Sequence, residues 1–158
     1  MIPNKESGVF DRNYLRLCDL VLNYAGLAAS LGAGALMGDH GNIIPECWTK
    51  NHMKAGLSIT GLLSPALDDL LLHHIRSDSD NESAQARYAV CQLERNIFAG
   101  PLGYFIVSYY QNPSIVKAGI GLALVCLTAF FQYLANTGRK QLDSLNVNDP
   151  ETTIEYRK

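Results

Sequence analysis

The sequence predicts an all-α protein, most simply a bundle of four transmembrane helices joined by short loops. Apolar residues make up 47% of the 158-residue chain, and charged residues make up only 18%. The charged residues leave four apolar stretches between them. β-Strands fit poorly, because no useful length of the chain alternates apolar and polar residues. The low charge and the ample apolar content also argue against a disordered chain.

The first and fourth apolar stretches are the strongest predicted spans. The first covers residues 17–37 and is interrupted by Asp19 and Asn23, whereas the fourth, residues 115–136, has no charge between Ala118 and Ala135. A bilayer core of about 30 Å requires roughly 20 apolar residues in a helix, so both stretches can cross it. A cleaved signal peptide is a competing interpretation of the first stretch, but its long, acid-containing leader favours a retained signal-anchor helix.

The second and third stretches are weaker and depend on their neighbours. The second, residues 55–75, contains Pro65 and two adjacent aspartates, and the third, residues 96–110, is short. Such helices are tolerated in a membrane when other helices surround their polar positions. The short 111–113 connection predicts that the third and fourth helices form an antiparallel hairpin. Residues 1–140 are therefore predicted to form one helical domain, followed by a polar, mobile tail at 141–158.

The Lys and Arg residues separate between alternate loops. Of the 13 in the chain, only Lys50, Lys54 and Lys117 fall on one predicted side of the membrane, and the others fall on the opposite side. This asymmetry is expected when both ends of a four-span chain are cytoplasmic. The sequence does not identify which membrane holds the protein.

Small residues recur at four-residue spacing on two of the predicted helices. Gly26, Ser30 and Gly34 share one face of the first helix, and Gly119 and Ala123 form a similar patch on the fourth. Such faces let two helix backbones approach closely. They predict a helix-packing surface, and we favour packing within the chain over dimerisation.

Ionisable residues cluster near the inner ends of the predicted spans. The candidates for an intramembrane polar cluster are Asp19, Asp68, Asp69, His73, Glu94 and Arg95. Charged groups within a membrane are costly and therefore suggest function. A carboxylate with a histidine could relay protons, whereas pairing with arginines and extension toward the headgroups is the simplest role. We expect no metal site and no cofactor, because adjacent histidines on a helix point apart.

The net charge and the lack of known catalytic or nucleotide-binding motifs argue against several classes of function. The formal charge of −2 gives no basic field for nucleic acid, and no nucleotide-binding, zinc-protease or serine-hydrolase motif occurs. The leading hypothesis is an accessory or interaction subunit, not an enzyme, that contacts lipid, other membrane subunits or a second copy of itself. One alternative is a proton- or ion-handling carrier or small membrane enzyme that uses the inner-leaflet carboxylates and histidine. Another is a soluble all-α domain with a buried central helix.

Overall fold

The computed structural model describes residues 6–75 and 82–147, with side chains described for 17–71 and 84–141. These residues contain no strand and form four helices, which are α1 (Glu6–Gly38), α2 (Trp48–Ile75), α3 (Glu82–Gln111) and α4 (Ile115–Val147). The predicted all-α class is confirmed. Two segments, Leu17–Gly38 and Ile115–Gln141, are long and apolar enough to cross a bilayer. The membrane-spanning role of α2 and α3 stays a prediction.

All four helices extend beyond the predicted apolar stretches, and α1 begins at Glu6, eleven residues before the first stretch. Residues 48–54, predicted as loop, form the first turns of α2, and α3 begins at Glu82, well before the predicted span at 96–110. Helix α4 continues through residues 141–147, where a tail was predicted. Residues 148–158 lie outside the described part of the chain.

The four helices do not contact one another equally. Helix α1 packs along both α2 and α3, and α4 packs on α3. Helix α2 also contacts α3, although over a smaller area. Helix α3 is therefore the element that joins all the others.

Glycines bring α1 against the backbones of its neighbours. A Cβ atom built on Gly34 would overlap the carbonyl oxygen of Gly100, and one built on Gly103 would overlap the carbonyl oxygen of Leu31. Nearer the start of α1, a Cβ on Gly26 would overlap the side chain of Ser64 of α2. These positions require glycine because any larger residue would push the helices apart. The small-residue face of α1 thus packs inside the chain.

Helix α4 presents most of its apolar side chains to the surroundings. Only 6% of its most apolar window is buried within the protein, compared with 39% for α1. Among its residues, Ile115 is 89% exposed and Leu122 is 67% exposed. A Cβ on Gly119 would meet nothing within 4 Å and Ala123 is exposed, so the predicted patch of Gly119 and Ala123 does not pack inside the chain.

The distribution of polarity is inverted relative to a water-soluble protein. The apolar residues that are buried are mainly small, whereas several large polar side chains are fully buried. The buried polar set comprises Asp19, Asn23, Ser30, Asp39, Lys50, Ser64, Asp68, Gln85, Gln92, Arg95, Asn96 and Ser108. Soluble proteins bury leucine and isoleucine and expose such charged groups. Large apolar side chains are instead exposed on all four helices.

A groove of about 460 Å³ separates parts of α2 and α3 alongside α1. Its lining includes Ala33 and Gly34 of α1, Leu62 of α2, and Gly100 and Tyr104 of α3. The groove is next to the polar interior, because Ser30 and Asn96 also line it.

Candidate polar site in the bundle interior

Helix α3 supplies a buried polar stripe. Gln85, Tyr88, Gln92, Arg95 and Asn96 are each 5% exposed or less. Their spacing of three or four residues places them on one helix face, with Asn96 next to Arg95. Because α3 packs against the other three helices, this face supplies polar groups to the bundle interior.

The guanidinium of Arg95 is completely buried and joins three helices. Its Nε and one terminal nitrogen donate to Asn96 Oδ1 at 3.0 and 2.8 Å. The terminal nitrogens also donate to Gln132 Oε1 of α4 at 2.7 Å, to the backbone oxygen of Asn23 of α1 at 2.8 Å, and to Asn23 Oδ1. These five bonds go to amide and carbonyl oxygens, which solvate the buried cation in place of water.

A second chain of hydrogen bonds leads from Asn23 toward Asp19, nearer the start of α1. Asn23 Nδ2 donates to the hydroxyl of Tyr88 at 2.9 Å, and that hydroxyl donates to Asp19 Oδ1 at 3.1 Å. The other oxygen of Asp19 forms an ion pair with Arg139 of α4 at 2.6 Å. The Asp19 side chain is 5% exposed and that of Arg139 is 26% exposed, so the network reaches the surface at Arg139.

Asn96 connects α3 to α2 at a break in the helical hydrogen bonding. Its Nδ2 donates to the backbone oxygen of Gly61 at 2.8 Å and to Ser64 Oγ at 3.3 Å. Pro65 lies four residues after Gly61 and has no N–H, so it cannot provide the usual helical donor to that oxygen. The side chain of Asn96 thus satisfies a backbone acceptor inside the bundle.

Asp68 and Gln92 contact each other, yet each keeps one buried oxygen atom that forms no hydrogen bond. Gln92 Nε2 donates to Asp68 Oδ2 at 2.6 Å, and both residues are 1% exposed. The second carboxylate oxygen, Asp68 Oδ1, and the amide oxygen, Gln92 Oε1, are buried without a hydrogen-bond partner. The carboxyl group of Asp19 also interacts with Asp68, and Arg139 acts on it electrostatically. Two acidic groups therefore meet in the interior, and one of them has an unused buried oxygen.

Three of the six predicted cluster residues lie in or beside this network. They are Asp19, Asp68 and Arg95. Arg95 does not extend toward headgroups, because its donors are all used inside the bundle. Asp69 is half-buried, and its backbone oxygen accepts from Gln85 at 2.8 Å. Glu94 is half-buried and acts on the thiol of Cys91.

The side chain of His73 lies outside the described residues, so its predicted role stays a prediction. Within the described ranges, no three His, Cys, Asp or Glu residues are grouped so that they could hold a metal ion.

No family model, curated protein or solved structure matches this chain. The chemistry of the polar interior is therefore the basis for proposing a function.

The opposite end of the bundle has a separate polar cluster around Asp39, directly after α1. Its carboxylate accepts backbone N–H bonds from Asn42, Ile43 and Ile44 at 2.8–3.1 Å. Gln111, the last residue of α3, donates to the same carboxylate at 2.9 Å. Asp39 therefore shapes the α1–α2 loop and attaches it to α3.

Lys50 completes this loop from α2. Its Nζ lies 3.2 Å from Asp39 Oδ2 and 2.9 Å from Glu46 Oε1, and it also donates to the backbone oxygens of Asp39 and Ile44. The sequence predicted a solvated outer loop here, but Lys50 is 1% exposed and Asp39 is 3% exposed. The separation of 11 residues between them gives no helical or strand-pairing signal that would reveal the contact.

The surroundings of these loop groups favour their charged forms. Burial by itself would raise the pKa of Asp39, but backbone hydrogen bonds and the contact with Lys50 outweigh it and hold the pKa well below its usual range. Burial would likewise lower the pKa of Lys50, but Glu46 and Asp39 raise it overall. The hydrogen bond from Lys50 also lowers the pKa of Glu46. The loop is therefore held by charged groups at neutral pH.

Proposed function

We propose that the chain is an integral-membrane protein whose four helices all span the bilayer. The observation that carries this proposal is the inverted polarity, with charged and amide side chains inside and large apolar side chains outside. In water, so much exposed apolar surface would drive association, whereas in lipid it is solvated. The buried polar groups of α2 and α3 explain why these helices fall short of a simple hydropathy test, because neighbouring helices satisfy them.

Within that protein, we propose that the interior carboxylates of Asp19 and Asp68 handle protons or small cations. Intramembrane acids that are not fully neutralised are expensive to maintain and therefore mark ion sites. Asp68 has a buried oxygen without a partner, and Asp19 is connected to the surface through the half-buried Arg139. The hydrogen-bonded side chains of Tyr88 and Asn23 extend the polar interior toward Arg95.

An accessory or interaction subunit is the second candidate, and the surface of α4 favours it. This helix packs on α3 and leaves its apolar residues and the small residue Gly119 exposed. A small-residue face that is not used within the chain can accept a helix of another membrane protein. In this proposal the interior acids serve only to hold the bundle together.

Two natural cysteines test the membrane assignment. Cys47 lies in the α1–α2 loop and Cys126 lies in the middle of α4, and both are exposed in the folded chain. In vesicles, a membrane-impermeant thiol reagent added to both faces should label a variant that retains only Cys47 and spare one that retains only Cys126. Detergent should not be needed to reach Cys47. Equal labelling of both cysteines without detergent would contradict the proposal of a lipid-covered α4.

Ion handling is tested in proteoliposomes that contain a pH-sensitive dye and carry an imposed pH or cation gradient. We expect a flux that Asp68→Asn abolishes. Asp69→Asn, its neighbour on α2 with no side-chain contact to Gln92, should retain the flux and is the matched control. Assembly of both variants is checked by gel filtration in detergent. A well-assembled Asp68→Asn variant with unchanged flux would overturn the role of Asp68, and absence of flux from the unaltered protein would favour the accessory candidate.

A further inference from the structure

We propose that the ion bound at this site is a proton, shared between Asp68 and Gln92. This inference rests on the proposed ion-handling function and names its substrate. The evidence is the pairing of two buried oxygen atoms, Asp68 Oδ1 and Gln92 Oε1, neither of which has a hydrogen-bond partner. They belong to two side chains that already contact each other through their other polar atoms.

One proton satisfies both atoms at once. Gln92 Nε2 already donates to Asp68 Oδ2 at 2.6 Å, so the amide and the carboxyl group are in contact through one of the two hydrogen bonds that such a pair can form. A proton on Oδ1 makes that oxygen a donor and the amide oxygen Oε1 its acceptor. The two groups then form a cyclic acid–amide pair with two hydrogen bonds. The ionised carboxylate cannot do this, because it has no hydrogen to donate and leaves both buried oxygens without a partner, at a cost of about 1–3 kcal/mol for each unsatisfied group.

A metal cation suits these atoms less well. Small cations in proteins take about six oxygen ligands, whereas this contact offers two unpartnered oxygens, Asp68 Oδ1 and Gln92 Oε1; the third among the described side chains, Thr128 Oγ1, is on α4. The oxygens of Asp19 are already used by Tyr88 and Arg139. A proton needs only one donor site and one acceptor.

The charged and titratable groups around Asp68 make this proton exchangeable. Asp19 from α1 favours its retention, because two ionised carboxylates repel each other. Arg139 from α4 and Arg95 from α3 favour its release, and Tyr88 from α3 is a neutral neighbour that interacts with both acids. When Asp68 is ionised, two carboxylates balance two guanidinium groups in the interior. The two guanidinium groups therefore offset part of the cost of losing the proton, which leaves Asp68 Oδ1 and Gln92 Oε1 without a partner.

Infrared difference spectroscopy of the full chain in lipid vesicles tests the proposal directly. The unaltered protein at neutral pH should show the C=O stretch of a protonated carboxylic acid, which shifts in heavy water and disappears as the pH is raised. Asp68→Asn should remove this band, and Asp69→Asn should leave it in place. The unaltered protein alone is decisive, because absence of the band at neutral pH overturns the proposal whether or not a variant folds.

A second pair of variants tests whether Gln92 is the hydrogen-bond partner of protonated Asp68. Gln92→Leu removes the N–H that the acid C=O accepts, so the band should move to higher wavenumber. Gln85→Leu removes another buried amide of α3, which donates to the backbone oxygen of Asp69, and it should leave the band unmoved. An unmoved band in a folded Gln92→Leu variant would overturn the pairing. If the band is found but proteoliposomes show no flux, the proton site is supported and the transport function is overturned. If a flux is measured but the band is absent, the transport function is supported and the proton site is overturned.

Discussion

Asn96 of α3 donates a 2.8 Å hydrogen bond to the backbone oxygen of Gly61, which Pro65 leaves without its usual helical donor. The kink-prone point of α2 is therefore stabilised from a different helix. In the proposed bilayer setting no water can replace the missing bond, so the two features would depend on each other. The energetic link between a proline and an asparagine on separate helices can be measured.

We expect Asn96→Leu to destabilise the bundle by about 1–3 kcal/mol, because it leaves Gly61 and the guanidinium of Arg95 with fewer partners. In a Pro65→Ala background, residue 65 regains an N–H for the Gly61 oxygen, so the same substitution should be less damaging. Unfolding in mixed micelles with increasing denaturing detergent measures the four free energies. Equal destabilisation in both backgrounds would contradict the coupling between Asn96 and Pro65.

Gly34→Ala should disrupt the contact between α1 and α3, because the added Cβ overlaps the Gly100 carbonyl oxygen. We expect a loss of about 1–3 kcal/mol in the free energy of unfolding, as for other overpacked sites. Gly119→Ala is the matched control, since its Cβ would meet nothing within 4 Å. That control should be neutral or gain up to about 1 kcal/mol from better helix propensity. A destabilised Gly119→Ala protein would indicate a contact of α4 with a second copy.

Asp39→Asn should lower the midpoint temperature of unfolding at neutral pH. It should also make that midpoint change less as the pH falls. The folded-state pKa of Asp39 lies below its unfolded value, so its ionised form stabilises the protein above the unfolded pKa. That contribution declines as the pH falls below the unfolded value and is lost through the folded-state pKa. Glu46→Gln should have a smaller effect, because the Glu46 side chain is 52% exposed. Melting curves at several acidic pH values would show whether the two variants differ in this order.

Arg95→Lys should weaken the bundle although it keeps the charge. A lysine has three donors on one atom and cannot reach Asn23, Asn96 and Gln132 together as the planar guanidinium does. We expect a loss of roughly 2–4 kcal/mol, counting about 1–3 kcal/mol for each buried acceptor left unpaired. Arg87→Lys, on an exposed position of the same helix, should change the unfolding free energy by less than about 0.5 kcal/mol. Similar losses in both variants would mean that the bonds of Arg95 contribute little.

The sequence predicted the helical class correctly, and two of the four predicted spans are long and apolar enough to cross a bilayer, because long uncharged stretches restrict a chain to few structures. Asp19, Asp68 and Arg95 could be named as candidates because acids and arginines are conspicuous near apolar helices. Tyr88 and Gln92 were missed because the third span was taken to begin at residue 96. The recurrence of polar residues every three or four positions from Gln85 onward was the available signal.

Other contacts were beyond sequence reasoning for a physical reason. The bond between Asn96 and Gly61 depends on which helices are neighbours and at what height they meet. Hydropathy reports how favourably a helix enters lipid, but it contains no information about the partner of a particular side chain. The loop around Asp39 and Lys50 is similar, since backbone N–H groups supply most of its bonds and every residue type except proline carries one.

The position of α3 at the centre of the bundle has a consequence for biosynthesis. The first two helices leave the ribosome with Asp19, Asn23, Ser64 and Asp68 lacking the partners that Tyr88, Gln92, Arg95 and Asn96 later provide. In the proposed membrane-spanning arrangement, nascent α1 and α2 thus hold polar groups that lipid cannot solvate until α3, a helix of 30 residues, is being made. If that proposal holds, we expect the insertion machinery to shelter these two helices during that interval, and we expect a chain truncated before α3 to be rejected by the membrane and degraded.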